Sequence, residues 1–495
     1  MTDFTTKLNP ERVAQRYASE RRFRAYGAAA LAVSVLFLAY LLTDIAVKAW
    51  PSFFEHHVML QVELDPGKID AAEIQKGDFG GIIKAGLRAQ FPNVKSRAES
   101  KKLLAQLSTG AGDDLRMATI ANPASIGTTV TTNALLSDDA DLYYKGMLAP
   151  TLKTAGETTL QVAQDGEAYL FTGDLSQLVV GQIVRANGGA FRITAVDAGI
   201  AKAETLLAPE TLNSLAPGNW DILSFTDIEA DRRIDDRAVV LLEAMRDKGI
   251  VKQQFAWRFF TSGDSREPEL AGLRGAITGS LLTVVMTLLL SVPLGIAAAI
   301  YLEEFAPKNN WTQLIEVNIN NLAAVPSIIF GLLGLAVFIG FLDLPRSAPL
   351  VGGLVLALLV LPTIIIASRA ALNAVPPSIK EAALGVGASH QQAIFHHVLP
   401  LAVPGILTGT ILGVARALGE TAPLLMIGMV AFIVDVPQGF TDSATVLPVQ
   451  IYLWSDLPEA AFQSRTAAAI IVLLAILFCL NAIAIYLRKR FERRW

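Results

Sequence analysis

A chain of 495 residues, 52% of them hydrophobic and with a mean hydropathy of +0.45, is too apolar to be wholly soluble and long enough for two or three domains. Its formal net charge of −4 comes with no basic stripe, so nothing points to a nucleic-acid partner. The single Cys479, set in an apolar run, excludes a disulfide framework within one chain and is expected to be inert packing.

Residues 1–24 are polar and basic, with Arg12, Arg16, Arg21, Arg22 and Arg24 leading into an apolar run at 25–47. A run of that length crosses a hydrocarbon core of roughly 30 Å at about 1.5 Å per residue. A cleavable signal peptide would have a shorter apolar core ending in a small-x-small site, which DIAVKAW lacks, so the run reads as an uncleaved anchor. Asp44 is expected to be solvated at its outer end, and Trp50 suits the aromatic belt.

From 48 to 272 no run is long enough to cross a bilayer, and charges are dense, so this stretch reads as a soluble α+β domain. Residues 68–110 read mainly as helix, and TTLQVA, EAYLFTG, GQIVRA, AFRITAVD and WDILSF as short strands of a barrel or sandwich. Asp231 to Lys248 returns to helix, with Val239, Val240, Leu242 and Met245 on its buried side. His56 and His57, being adjacent, point apart and suit a membrane interface better than a metal. Asp113-Asp114, Asp138-Asp139-Asp141 and Asp235-Asp236 lack the Gly-centred spacing of a calcium loop and read as solvated surface. No metal site is expected.

Five more apolar runs follow, near 274–302, 318–341, 349–368, 404–433 and 466–487, making six spans and placing both termini on one side. Arg488, Lys489, Arg490, Arg493 and Arg494 match the basic N-terminus, and the positive-inside rule puts both ends in the cytoplasm. The expected order is therefore a cytoplasmic segment (1–24), a first span (25–47), an outer domain (48–272), five spans (273–487) and a cytoplasmic tail (488–495). That count leaves 369–403 in the cytoplasm and 434–465 outside. The latter holds Asp435, Asp442, Asp456 and Glu459, with no Lys or Arg before Arg465. Pro293, Pro326 and Pro423 are expected to kink helices, and Asn318, Asn320 and Asn321 to open a span as caps or interfacial groups.

There is no G-x-x-x-x-G-K-[ST], no G-x-S-x-G and no zinc-spaced His/Cys set, so neither nucleotide hydrolysis nor acyl chemistry has a seat here. The chain reads as a non-enzyme that needs an ATPase from elsewhere. Two charges stand out, Arg416 and Glu420, because an ionised group near mid-bilayer costs a few kcal/mol and persists only with a partner or a water-filled path. At i and i+4 they share a helix face. They are either an inert ion pair that fixes packing or a fork of donors offered to a passing oxyanion, with the carboxylate holding the fork in place. Arg369 is either a snorkelling end charge or a further group on that path.

The segment Glu381-Ala382-Ala383, with Gly387 and Leu399-Pro400, resembles the cytoplasmic coupling signature of permease subunits of ATP-binding-cassette importers. Arg416 and Gly419, Glu420, Thr421, Ala422, Pro423, Leu424 resemble the A-R-x-x-G-E-T-A-P-L segment of the phosphate-specific PstA-type permeases; PstC-type partners read G-E-T-M-A-V there. SVPLGIAAAIYLEEFAP (291–307), AAVPSIIFGLLG (323–334) and LPTIIIASRAAL (361–372) extend the likeness over 270–487, and DSREPELAG (264–272) resembles a segment of PstA chains that carry an extra domain.

The resemblance implies an α-helical polytopic membrane protein of the type I importer fold, with six transmembrane helices and a periplasmic α+β domain inserted between the first two. It implies that the coupling loop (372–403) folds as helix, turn and helix to dock in an ATPase. Ala382 and Ala383 favour helix, and Gly387 can take the left-handed turn. The implied partners are a PstC-like permease, a PstB-like ATPase dimer that binds ATP and Mg, and a PstS-like periplasmic phosphate-binding protein, in a bacterial inner membrane. No cofactor is implied in this chain. Arg416, Glu420, Thr421 and Arg369 are the implied phosphate path. The chain departs from the family at His397, usually aliphatic, and at Ile366, where relatives often carry the Arg that Arg369 would replace. The alternatives are a permease for another oxyanion, such as sulfate or molybdate, which should lack R-x-x-x-E-T-A-P, and a membrane-anchored ligand sensor.

Overall fold

The computed structural model describes residues 10–148, 151–166, 168–197, 199–209, 214–430 and 432–491; residues 1–9 and the tail's Arg493 and Arg494 lie outside the described residues. Among the described residues, five helices are long and apolar enough to cross a membrane: Ala14–Phe53, Arg274–Phe305, Pro349–Asn373, His390–Gly419 and Ala460–Arg490. A sixth crossing exists if Asn310–Ala323 and Ser327–Phe341, bent by 104° at their junction, form one span. The expected 318–341 run is thus sharply bent within its length instead of continuous. Pro326 supplies no amide hydrogen and pushes Val325 out of the helical region, so the chain turns there. The first half begins earlier than expected, where the Asn309 side chain accepts from Thr312 N at 2.9 Å, so Asn318, Asn320 and Asn321 lie inside the helix.

The expected 404–433 run is also interrupted. The helix that opens at Leu399 ends at Gly419, Glu420 is extended, and a short helix restarts at Ala422–Met426 with Pro423 in its first turn. Pro423 therefore starts a helix, whereas Pro293 lies inside the continuous helix Arg274–Ile300. The fifth spanning helix lies close against the fourth through Gly405, Gly409 and Gly413. A methyl group at Gly409 would come within 2.2 Å of Ala367 Cβ, so backbone approach depends on its absence.

Between the first two spans sits an α+β region, the one expected from the sequence to be the outer domain. The strand Phe54–Glu63 lies between Val251–Phe255 and Thr129–Leu135 in a three-stranded antiparallel sheet. A second, eight-stranded antiparallel sheet is built from residues 151–225. Leu160 and Leu215, near one edge, share a core with Trp220 and Ile222 near the other, so this sheet curls on itself. The helix Asp236–Asp247 packs between the two sheets and buries Val239, Val240, Leu242 and Met245.

Two expectations for this region, and one for the last helix, are corrected. His56 and His57 are not interfacial but buried in the central strand: His56 Nδ1 lies 2.9 Å from Asp141 Oδ1, and His57 Nε2 3.0 Å from Glu55 Oε1. The acidic runs are paired rather than merely solvated: Arg116 donates to Asp113 at 2.8 Å, Arg258 to Asp114 and Arg233 to Asp138 at 2.7 Å, and Asp236 is buried beside Arg192 and Arg232. Cys479 is exposed on the last helix instead of packed inside. Asp44, at the outer end of the first span, is exposed and bonded by Lys48 at 2.7 Å, and Trp50 is exposed.

The outer region joins the spanning helices through a core that includes Ala49, Phe259, Leu273, Trp454 and Phe462. Polar contacts cross the same seam. Trp454 Nε1 donates to Asp264 at 3.0 Å, Ser52 to Ser464 at 2.8 Å, and Arg465 Nη1 to the Ala271 carbonyl at 2.6 Å. Burial pushes the Asp264 and Glu269 carboxyls up, and Asp138 up to about 6 against the pull of Arg233. Asp141 goes the other way: burial opposes its charge, but His56 and the Lys145 ammonium hold it below the usual carboxylate range.

Candidate functional site

The coupling-loop residues share one exposed excursion between the fourth and fifth spanning helices. Pro377–Gly385 is helical and carries Glu381 and Ala382 on its exposed side and Ala383 inward. Gly387 takes φ +93°, a left-handed turn closed by its own N–H on the Leu384 carbonyl at 3.0 Å. Ser389 and Gln392 then form a reciprocal cap on His390–Ala393, and a wide turn at Ile394–Val398 delivers Leu399 and Pro400 to the start of the fifth spanning helix. Ile394 and Val398 are buried with Ile300, Leu302, Leu372 and Ile406, so the loop rests on an apolar floor shared by three spans. Leu384, Val386, Phe395 and His397 face outward. Val386 is the most exposed of the three apolar side chains, at 86%.

Arg416, Glu420 and Thr421 come together where the helix stops. Arg416 is in the last turn, Glu420 is the residue on which the helix ends, and Thr421 opens the next short helix, its carbonyl accepting from Leu424 and Leu425. The pair is therefore not two residues on one continuous helical face. Arg416 Nε reaches Glu420 Oε1 at 3.4 Å, and the Arg416 side chain is 40% exposed against 20% for Glu420. A long single contact leaves most of the guanidinium's five donors open. The bent helix pair (310–341) backs this break: a Cβ at Gly331 would meet Pro423 Cα at 2.6 Å, and Phe330, Ala417 and Leu424 share one core. Two interrupted helices thus meet at one level. Irregular backbone at membrane depth is tolerated only where protein or a watered cavity satisfies it.

Arg369 does not join that group. Its Nε donates to Glu303 Oε2 at 3.1 Å and its Nη2 to Glu316 Oε1 at 2.9 Å. Since Gly405 faces Ala371 and Gly413 faces Val360, Arg369 and Arg416 stand about ten residues apart in level, roughly 15 Å along the axes at ~1.5 Å per residue. With two carboxylates already on its fork, Arg369 is poorly placed to greet an anion. The sequence reading missed Glu303, Glu304, Glu316 and Lys380 as a group. The signal was present, since an acidic pair closing an apolar run of nearly thirty residues needs cations, and Arg369 and Lys380 stand at the end of the fourth spanning helix and at the start of the coupling loop.

Residues 291–495 match the family described as the binding-protein-dependent transport system inner membrane component, and residues 10–154 match a domain of unknown function (DUF3333). Phosphate transport system permease protein PstA 1 of Mycobacterium tuberculosis (strain CDC 1551 / Oshkosh) is 31% identical over 238 residues, covering 48% of this chain and 77% of that protein. Phosphate transport system permease protein PstA of Yersinia pestis is 33% identical over 222 residues, covering 44% and 74%. Among solved structures, the inward-facing MetNI methionine ABC transporter aligns with 45% of this chain and 95% of that chain at 15% identity, with a TM-score of 0.34. Family membership rests on the sequence relatives.

Proposed function

The chain belongs to the PstA-type family of importer permeases and is a multi-pass membrane protein, and from that premise we propose that it conducts inorganic phosphate inward across a bacterial inner membrane. A PstC-like permease completes the bundle, a PstB-like ATPase dimer binds ATP and Mg on the side of residues 372–403, and a PstS-like protein delivers phosphate from the other side. Both termini are cytoplasmic, and the outer α+β region is periplasmic.

One observation carries the reading: within a single stretch, 381–421, an exposed Gly-hinged loop leads into a helix that ends beside a half-exposed guanidinium. The loop receives the motor's push and the guanidinium receives the anion. Arg416 offers planar donors to phosphate oxygens, and Glu420 orients the fork and accepts a hydrogen bond from a protonated phosphate oxygen. Its negative charge also keeps Arg416 from trapping the anion, as conduction requires release. Alternating access then follows from ATP-driven closure of the motor acting on a bundle with two arrangements.

The test is uptake into vesicles holding the four components. Phosphate entry that requires ATP and the binding protein is expected, with sulfate and molybdate competing poorly. Preferential uptake of another oxyanion would move the chain to a different substrate, and absence of any ATP-dependent uptake would leave the sensor reading in its place.

A further inference from the structure

The helix Arg274–Ile300 ends in a wide π-type turn, Tyr301–Phe305, closed by the Ala306 N–H on the Tyr301 carbonyl at 2.8 Å. Consecutive residues on such a turn point in different directions, and Glu303 and Glu304 use this to hold two different elements. Glu303 accepts from Arg369 of the fourth spanning helix at 3.1 Å, and Arg369 also donates to Glu316 of the first half of the broken span at 2.9 Å. Glu304, whose side chain is only 9% exposed, pairs with Lys380 at the base of the coupling loop's first helix. The Glu304 carbonyl lies 3.0 Å from His390 Nε2 of the loop's second helix, and the Phe305 ring meets the His390 ring edge-on at 5.1 Å. Both helices of the loop are thereby tied to one five-residue turn, and that turn is tied to two further helices.

We propose that Glu303 and Glu304 form a two-sided latch through which movement of the coupling loop enters the spanning helices, with Lys380 and Arg369 as positioning residues. The inference rests on the transport reading above and assigns Arg369 to force transmission instead of the phosphate path. The apolar floor under the loop, Ile394 and Val398 against Ile300 and Leu302, permits sliding because dispersion contacts have no preferred direction. Charge-assisted bonds to Lys380 and Arg369 fix direction and register, which a lever requires.

The experiment measures phosphate uptake and ATP hydrolysis in the same vesicles for the assembled importer, with co-purified ATPase as the check on assembly. Glu304→Gln and Lys380→Gln are expected to keep hydrolysis but to lower phosphate moved per ATP about tenfold, within the range of coupling between linked sites. Lys380→Arg keeps the charge and the ratio, and the reversed pair Glu304→Lys with Lys380→Glu recovers most of it. A merely structural pair would change amount and assembly without changing the ratio. Wild-type ratios in both single variants overturn the latch, and so do uncoupled singles that the reversed pair fails to rescue. A wild-type complex without uptake overturns the latch and the transport reading together, whereas wild-type uptake with fully coupled variants overturns the latch alone.

Discussion

Arg465 and Arg416 are both guanidiniums on membrane-crossing helices, and the chain surrounds them in opposite ways. Arg465, near the start of the last spanning helix, is 6% exposed. It donates to the Ala271 carbonyl at 2.6 Å, stacks 5.6 Å from the Phe259 ring and sits in the field of Glu55, Asp138, Asp141 and Glu269. Arg416 has one long contact and 40% of its side chain open. A cation enclosed on every side has its partners built in and holds two regions together. A cation left with open donors beside a helix break is, on the proposed reading, kept for something that arrives. The same residue type would then serve as a weld at one site and as a receptor at the other.

The sharpest way to break that comparison is to remove the weld. Arg465→Ala should leave the buried carboxylates of the seam without their cation and destabilise the protein by about 3–5 kcal/mol, read as a large fall in thermal midpoint and loss of co-purified partners. A variant as stable as the parent would show that Arg465 does not hold the outer region to the spans. Arg416→Ala should do the converse. Assembly and midpoint stay near the parent's, while uptake falls about a hundredfold, the scale of losing one charged hydrogen-bond set of ~3 kcal/mol. Normal uptake by Arg416→Ala, or collapse of its stability, would make it a second weld.

Acid–base behaviour sharpens the outer half. Asp138 faces Arg233, Asp139, Asp141 and Arg465, and its folded-state value of about 6 lies above its ordinary 3.8. The folded chain therefore binds this proton more tightly than the unfolded chain does. The stability it contributes is present below about pH 4 and lost as pH rises through 6. Asp138→Asn should accordingly raise the thermal midpoint at pH 7, by on the order of 1–3 kcal/mol of stability, with the gain shrinking towards pH 4. A gain that grows on acidification would mean that the Arg233 pairing, not burial, governs this carboxyl. Asp141, held low by His56 and Lys145 although burial opposes its charge, contributes with the opposite sign.

Much of this was legible in the chain because each signal was local. Spans follow from runs of apolar residues, and the helix with Val239, Val240, Leu242 and Met245 buried follows from its period. The two breaks were less legible. The run 318–341 stays apolar through Pro326, and 404–433 stays apolar through Gly419, so composition alone draws them as continuous helices. Long-range pairing was not legible at all. Nothing in the sequence around His56 announces Asp141, which lies 85 positions away, nor does Arg369 announce Glu303 over Glu316. Strands such as Ile200–Leu207 were missed because IAKAETLL carries helix-favouring Ala, Lys, Glu and Leu, and its neighbours at 168–173 and 189–197 override that propensity.

The smallest expected effect concerns the hinge between the two helices of the coupling loop. Gly387 sits at φ +93° with no heavy atom within 4 Å of where a Cβ would lie, so Gly387→Ala meets backbone strain without any clash. The cost is about 1–2 kcal/mol, and the turn is exposed, so the loop relaxes locally while the spans keep their packing. Thermal stability of the spanning region should then stay unchanged while ATPase affinity drops roughly five- to thirtyfold, the equivalent of that cost. A separate substitution on the exposed loop, Val386→Ser, tests whether docking depends on shape or on apolar area, because it leaves the turn intact and removes the loop's most exposed large apolar side chain. Loss of affinity with Val386→Ser but none with Gly387→Ala would locate the grip in that side chain and free the turn of any role in presenting it.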